Sequence, residues 1–206
     1  SNIKNILDKV LAFIALIVLS PVMLGFAIAI KIESKGKVFF KQKRIAKDKE
    51  LFDIYKFRTM RSDTPKDTPT HMLEDAEKYI TKVGGFMRKT SIDELPQLIN
   101  ILKGEMSFIG PRPALWNQND LIVERDKYGA NSIKPGLTGL AQINGRDELE
   151  IPIKAKFDGE YAKKMSFWLD VQIFFKTIGK VFMHNGVVEG KAEVKKDEKS
   201  DNCRKG

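Results

Sequence analysis

Apolar and polar positions divide the chain unevenly. From Val10 to Ile30 no charged residue occurs, and Lys9 and Lys31 close the run on either side. As a helix rising about 1.5 Å per residue, it is roughly 32 Å long, close to the roughly 30 Å of bilayer hydrocarbon. A buried soluble helix is the plainer alternative. A signal peptide fits poorly, because the run is too long and no small-x-small cleavage site follows it. Pro21 sits at the centre and removes the donor for the Ile17 carbonyl, which predicts a bend. Ser20 can bond back to a carbonyl one turn earlier and so lower the cost of that break in lipid.

Beyond Lys31 the pattern is that of a soluble domain. KVFFKQKR and LFDIYKFRTM are rich in β-formers and are joined by a polar stretch, Ile45 to Glu50, so they predict a β-hairpin. Residues 61–71 carry two prolines and several turn formers and read as a loop. Leu73 to Tyr79 reads as a short helix, and another runs from near Ser91 to Gly104, a helix-ending glycine after Lys103. Residues 105–150, with GPRP, KPG, TG and NG, read as loop-dominated. Phe157 to Met183 has a helical, aromatic-rich pattern that suits either a core helix or an amphipathic helix at a membrane interface with lysines on its polar side. From Gly190 onward charge leaves little to bury, and disorder is expected. The expected fold class is α+β, mostly helical with one hairpin, divided into a membrane element (1–31), a domain (32–185) and a charged tail (186–206).

Composition adds a partner class. The 206 residues suit one domain, and 36 basic against 27 acidic residues give a net charge of +9. That surplus points to nucleic acid, phospholipid headgroups or a phosphorylated substrate. Cys203 is the only cysteine, so no internal disulfide framework exists. Ser1-Asn2, with no initiating Met, reads as an appended remnant and is left aside. Lys4 and Lys9 precede the apolar run, while Lys31, Lys35, Lys37, Lys41, Lys43, Arg44, Lys47 and Lys49 follow it. The heavier cluster belongs in the cytoplasm. Because the other end is also positive, a bent helix with both ends inside competes evenly with a full span.

Two groups of residues could do chemistry. In TSIDELPQL, Ser91 and Glu94 match a capping box with Asp93 in the acid-friendly first turn. Capping needs only one of the two acids, however. An adjacent carboxylate pair beside basic residues also suits metal-assisted phosphoryl transfer, one oxygen attacking phosphorus and another holding Mg²⁺ against a diphosphate. The second group is Arg58 in KFRTM, Arg88 in GGFMRKT, Arg112 in GPRP and Arg146 in NGR. Guanidinium groups near turns can grip phosphate with two parallel bonds. His71 and His184 are the only histidines, and there is no zinc-type cluster, nucleophile elbow, Walker loop or dinucleotide fingerprint. Carboxylates are left as the best catalytic groups.

In order, KFRTM, RKTSIDELPQLINILKGEMSFIGPRP, KPGLTGLAQINGR and SFWLDVQIFFKTI resemble the bacterial sugar transferase family, the monotopic phosphoglycosyl transferases. The resemblance runs from the membrane segment to about residue 183 and matches the small members. It implies a two-step reaction with Mg²⁺. Asp93 matches the aspartate that attacks a UDP-sugar, releasing UMP. Polyprenyl (undecaprenyl) phosphate then takes the sugar phosphate as a polyprenyl diphosphate sugar, the first membrane step of a bacterial glycan pathway. Glu94 matches the second acid, near the metal. Arg88 and Arg112 match phosphate-holding arginines, with Arg146 toward the nucleotide or diphosphate end. Ser20-Pro21 matches a break in a re-entrant helix, which places both ends on the cytoplasmic face of the inner membrane, beside anionic lipid. A homodimer is left open.

Two departures stand out. The hairpin turn RIAKDKE lacks glycines that relatives often carry, so a different geometry is expected there. Ala141 replaces an aromatic of larger members, so sugar preference does not carry over. The rival functions are a phosphohydrolase of lipid-linked diphosphates and a non-catalytic basic membrane protein. Nucleic acid is set aside as a partner because no motif for it is present.

Overall fold

A computed structural model describes residues 2–61, 63–64, 76–145 and 149–183. Its first element, α1 (Asn2–Glu33), carries the apolar run and continues without interruption through Pro21. The Ser20 hydroxyl donates to the Ile17 carbonyl at 2.8 Å, the acceptor that proline leaves unused. The expected break is therefore not a gap in the helix, since a side chain replaces the missing backbone donor. At about 1.5 Å per residue α1 is about 48 Å long. Among the described residues it is the one helix long and apolar enough to cross a membrane.

Positions three or four apart on α1 pack against the domain along its length. Ala12, with Ala15, Leu16 and Leu19 beside it, joins a cluster containing Phe52, Ile54, Leu98, Ile101 and Met106. Ile30, flanked by Met23, Phe26 and Ala27, packs with Phe57 and Met87. The opposite face exposes Ile6, Val10, Phe13, Ile17, Leu24 and Ile28. Polar contacts fasten both ends. Near the start, Lys4 Nζ meets Asp170 Oδ2 at 2.5 Å and the Ser107 hydroxyl donates to Asp8 Oδ2 at 2.6 Å. At the finish, the Glu33 carboxylate accepts the N–H groups of Lys82 (2.6 Å) and Val83 (3.0 Å), while Arg58 donates to the Ser34 and Lys35 carbonyls.

The expected hairpin is present as β1 (Phe39–Ile45) and β2 (Leu51–Phe57), antiparallel with Phe39 opposite Phe57 and Ile45 opposite Leu51. Its turn holds Asp48 and Lys49 in the left-handed region at φ 55° and 63°, a conformation in which glycine would be cheaper. Of the helix expected at 73–79, the described part is α2 (Ala76–Tyr79). Then come α3 (Lys82–Thr90), a 3₁₀ turn at Ile92–Glu94, and α4 (Gln97–Lys103), which ends as expected at Gly104 with φ 83°.

The stretch 105–150 is more ordered than its loop-like sequence suggested. It contains β3 (Ser107–Ile109), α5 (Asn119–Asp126), β4 (Gly136–Thr138) and α6 (Leu140–Asn144). Strands β3 and β4 pair in parallel. Three-residue strands leave no readable alternation, and their glycines serve close approach: a Cβ on Gly136 would lie 2.1 Å from the Gly110 nitrogen. The aromatic-rich region is two helices, α7 (Ile151–Lys164) and α8 (Phe167–Met183), separated at Met165-Ser166. The Ser166 hydroxyl accepts the Leu169 N–H at 3.3 Å and so starts α8. Ile173 of α8 is buried with Tyr161, while Phe167, Trp168, Phe174 and Phe175 are exposed. Burial pushes the Tyr161 hydroxyl far above its ordinary range. It stays protonated, 2.6 Å from Asp170 Oδ1 and 3.1 Å from the Ile109 carbonyl. The α+β class is borne out. The tail at 186–206 lies outside the described residues.

Candidate active site

Ser91 leaves α3 in the left-handed conformation (φ 57°), its N–H directed at the Arg88 and Met87 carbonyls. A non-glycine residue there is strained, and it turns the chain sharply into the 3₁₀ turn bearing Asp93 and Glu94. The Ser91 side chain makes no capping hydrogen bond, so the capping-box alternative fails. Glu94 instead reaches across the fold. Its Oε1 accepts from Lys56 Nζ at 2.9 Å and from both terminal nitrogens of Arg112 at 3.3 and 3.4 Å. Asp93, one residue earlier on the same turn, is half-buried.

A small cleft opens here between β2 and the GPRP loop, lined by Arg44, Lys56, Glu94, Gln97, Arg112 and Pro113 among others. Among the described residues lining it are three cations and one carboxylate, a surplus of positive charge that suits a multiply charged anion. Lys56 and Arg44 were not singled out as site residues from the sequence. A usable pattern was present: Phe52, Ile54 and Lys56 alternate along β2, and the first two are buried. A lysine continuing the inward register of a strand needs an anionic partner.

The other sequence candidates are dispersed. Arg88, in the last turn of α3, donates through Nε to the Thr59 hydroxyl at 2.9 Å, three residues ahead of the turn at Ser91. Arg58 is not brought to the cleft. Its terminal nitrogens bond the Lys35 carbonyl, the Ser34 carbonyl and the Ser34 hydroxyl, each at 2.8 Å. Arg58 was expected to hold phosphate; in the fold its guanidinium meets carbonyls just past the end of α1 instead of the cleft residues. Arg146 lies outside the described residues, and Ser20 and Pro21 belong to α1. No group of three or more metal-ligating side chains occurs among the described residues. Two carboxylates nonetheless suit Mg²⁺, which is often held by one or two carboxylates with substrate phosphates and water completing its shell.

A sequence profile of the family described as bacterial sugar transferase matches residues 1–184. The chain belongs to that family. Within it, the UDP-glucose:undecaprenyl-phosphate glucose-1-phosphate transferase of Escherichia coli (strain K12) is 39% identical, over 88% of this chain and 40% of its own length. The UDP-N-acetylgalactosamine-undecaprenyl-phosphate N-acetylgalactosaminephosphotransferase of Aeromonas hydrophila is 41% identical, over 85% and 43%. The uncharacterized sugar transferase EpsL of Bacillus subtilis (strain 168) is 38% identical, over 90% of both chains. The chain thus spans about two-fifths of the first two relatives and most of the third.

Proposed function

We propose that this bacterial sugar transferase family member is a phosphoglycosyl transferase. It moves a sugar 1-phosphate from a UDP-sugar to polyprenyl phosphate, releasing UMP. The observation that carries the reading is the Asp93-Glu94 turn, whose second acid is held by Lys56 and Arg112 in a cationic cleft. A carboxylate oxygen of Asp93 attacks the β-phosphorus as the bond to the UMP phosphate breaks. The sugar phosphate is left on Asp93 as an acyl phosphate. An oxygen of polyprenyl phosphate then attacks the same phosphorus, freeing the aspartate and giving a polyprenyl diphosphate sugar. Arg112 and Lys56 offset charge on the diphosphate, with Arg88 assisting from α3. Asp93 and Glu94 would hold a Mg²⁺ ion, which when bound supplies positive charge against the diphosphate.

The membrane reading is a monotopic protein on the cytoplasmic face of the inner membrane. Support comes from the two ends of α1, both fastened to one domain. A helix spanning roughly 30 Å of hydrocarbon would carry its ends to opposite faces, where one polar domain could not hold both. The exposed apolar face of α1 and the aromatics of α8 suit lipid, and the flanking lysines suit anionic headgroups.

The deciding experiment incubates the protein with labelled UDP-sugar and Mg²⁺ but no acceptor. The expected result is a single burst of UMP and a hydroxylamine-labile label on the protein, which moves to lipid when polyprenyl phosphate is added. UMP release without protein labelling would remove the covalent step, and no UMP release would remove the transferase reading.

A further inference from the structure

Arg112 stands between two prolines, and its loop is held from outside by its carbonyls. Pro111 accepts from the Gly136 N–H at 2.8 Å, and Arg112 accepts from Nη2 of Arg125 at 3.0 Å. Pro113 accepts from Nη1 of Arg44, and Ala114 from the Ile45 N–H, both at 3.0 Å. Four consecutive acceptors are thus taken by four separate donors, and the one at Arg112 itself comes from a buried ion pair.

That pair joins α5 to α7. Arg125 is 3% exposed and Asp158 is 1% exposed. Nε and Nη2 of Arg125 donate to Asp158 Oδ2 at 2.8 and 2.6 Å. Burial pushes the Asp158 carboxyl up from its ordinary value, against the pull of Arg125. For packing alone such a pair is a poor choice, because apolar residues of similar volume are often as stabilising or more so. What an apolar pair cannot supply is the hydrogen bond from Arg125 to the Arg112 carbonyl.

We propose that Arg125, oriented by Asp158, is a positioning residue for Arg112, fixing the backbone from which the Arg112 guanidinium reaches Glu94 and the substrate diphosphate. This rests on the transferase reading given above. The guanidinium fork suits the role: one edge takes the carboxylate, and Nη2 also reaches the carbonyl. An ammonium cannot reproduce both contacts in that geometry. Small displacements of a charge-stabilising group are expensive, on the order of a hundredfold in rate for 1 Å.

The test is a double-mutant cycle on the full chain in lipid nanodiscs, reading UMP release against UDP-sugar concentration. Arg125→Lys is expected to lower kcat/KM by about 10- to 100-fold in the wild-type background. In an Arg112→Lys background it is expected to cost little more, because its effect passes through Arg112. The paired change Arg125→Met with Asp158→Leu keeps the interior packed and covers the case in which Arg125→Lys misfolds. It should stay folded by thermal unfolding yet lose activity by a similar factor. An equal loss in both backgrounds, or wild-type turnover by the apolar pair, would overturn the positioning role while leaving the transferase reading intact. No UMP release from the wild-type chain would overturn both.

Discussion

Arg58 and Arg112 look alike in sequence, each an arginine at the edge of a turn, yet they take different partners. Arg58 lies beyond β2, beside the terminus of α1, and its terminal nitrogens go to Ser34 and Lys35. Arg112 lies in a loop held by four outside donors, and its guanidinium reaches the Glu94 carboxylate. The comparison teaches that an arginine's role follows from the acceptors the fold brings to it. A helix C-terminus supplies unsatisfied carbonyls and the negative end of a dipole, which draw in a cation. A tethered loop holds the arginine's backbone fixed so that its side chain meets an anion site. Arg58 accordingly joins the end of α1 to the segment after β2, and Arg112 stays with Glu94, where the proposed chemistry needs it.

Five substitutions sharpen or break this contrast. The largest effect belongs to the site itself. Asp93→Asn is expected to lower UMP release by about a thousandfold or more and to abolish protein labelling, with thermal unfolding unchanged. An active variant would remove the nucleophile assignment. Next come the two arginines. Arg112→Lys should reduce kcat/KM by about 10- to 100-fold at constant stability. Arg58→Lys should instead cost about 1–2 kcal/mol of stability, with turnover per folded molecule near wild type. If the two variants lost activity equally, the division of labour would collapse.

The fourth change probes the other contact at the end of α1. Glu33→Gln removes the charge at the start of α3 and should cost about 0.5–1 kcal/mol, read as a lowered unfolding midpoint. The smallest effect is expected from Pro21→Ala, which restores the donor that Ser20 replaces. Cysteines placed at Ile3 and Lys35 should both be shielded from an impermeant reagent in intact cells. In Pro21→Ala, a minor fraction labelled at position 3 is expected. Full labelling there in the parent protein would establish a spanning helix.

Much of this was legible along the chain, and for a consistent reason. An uncharged run shows by composition, and hairpin strands show by alternation. A proline in a helix leaves an acceptor that a neighbouring serine can reach. All of these depend on residues a few positions apart, as does the adjacency of Asp93 and Glu94. The short strands within 105–150 were not legible for the converse reason: β3 and β4 are too short to show a period, and they pair across more than twenty-five residues.

The sequence by itself therefore determined the membrane helix, the hairpin and the carboxylate pair, because each is written in local spacing. Tertiary structure alone decided which partners the long polar side chains take. Arg58 goes to Ser34, 24 residues away, and Lys56 goes to Glu94, 38 residues away. Ser91 leaves the capping box because the turn it begins requires a left-handed backbone. The two ends of α1 settle against one domain through Asp8 with Ser107 and Glu33 with α3. Long charged side chains have little local preference. Their partners are chosen by whichever desolvated acceptor or opposite charge the fold brings within reach, because a buried polar group left unpaired costs more than most local preferences are worth.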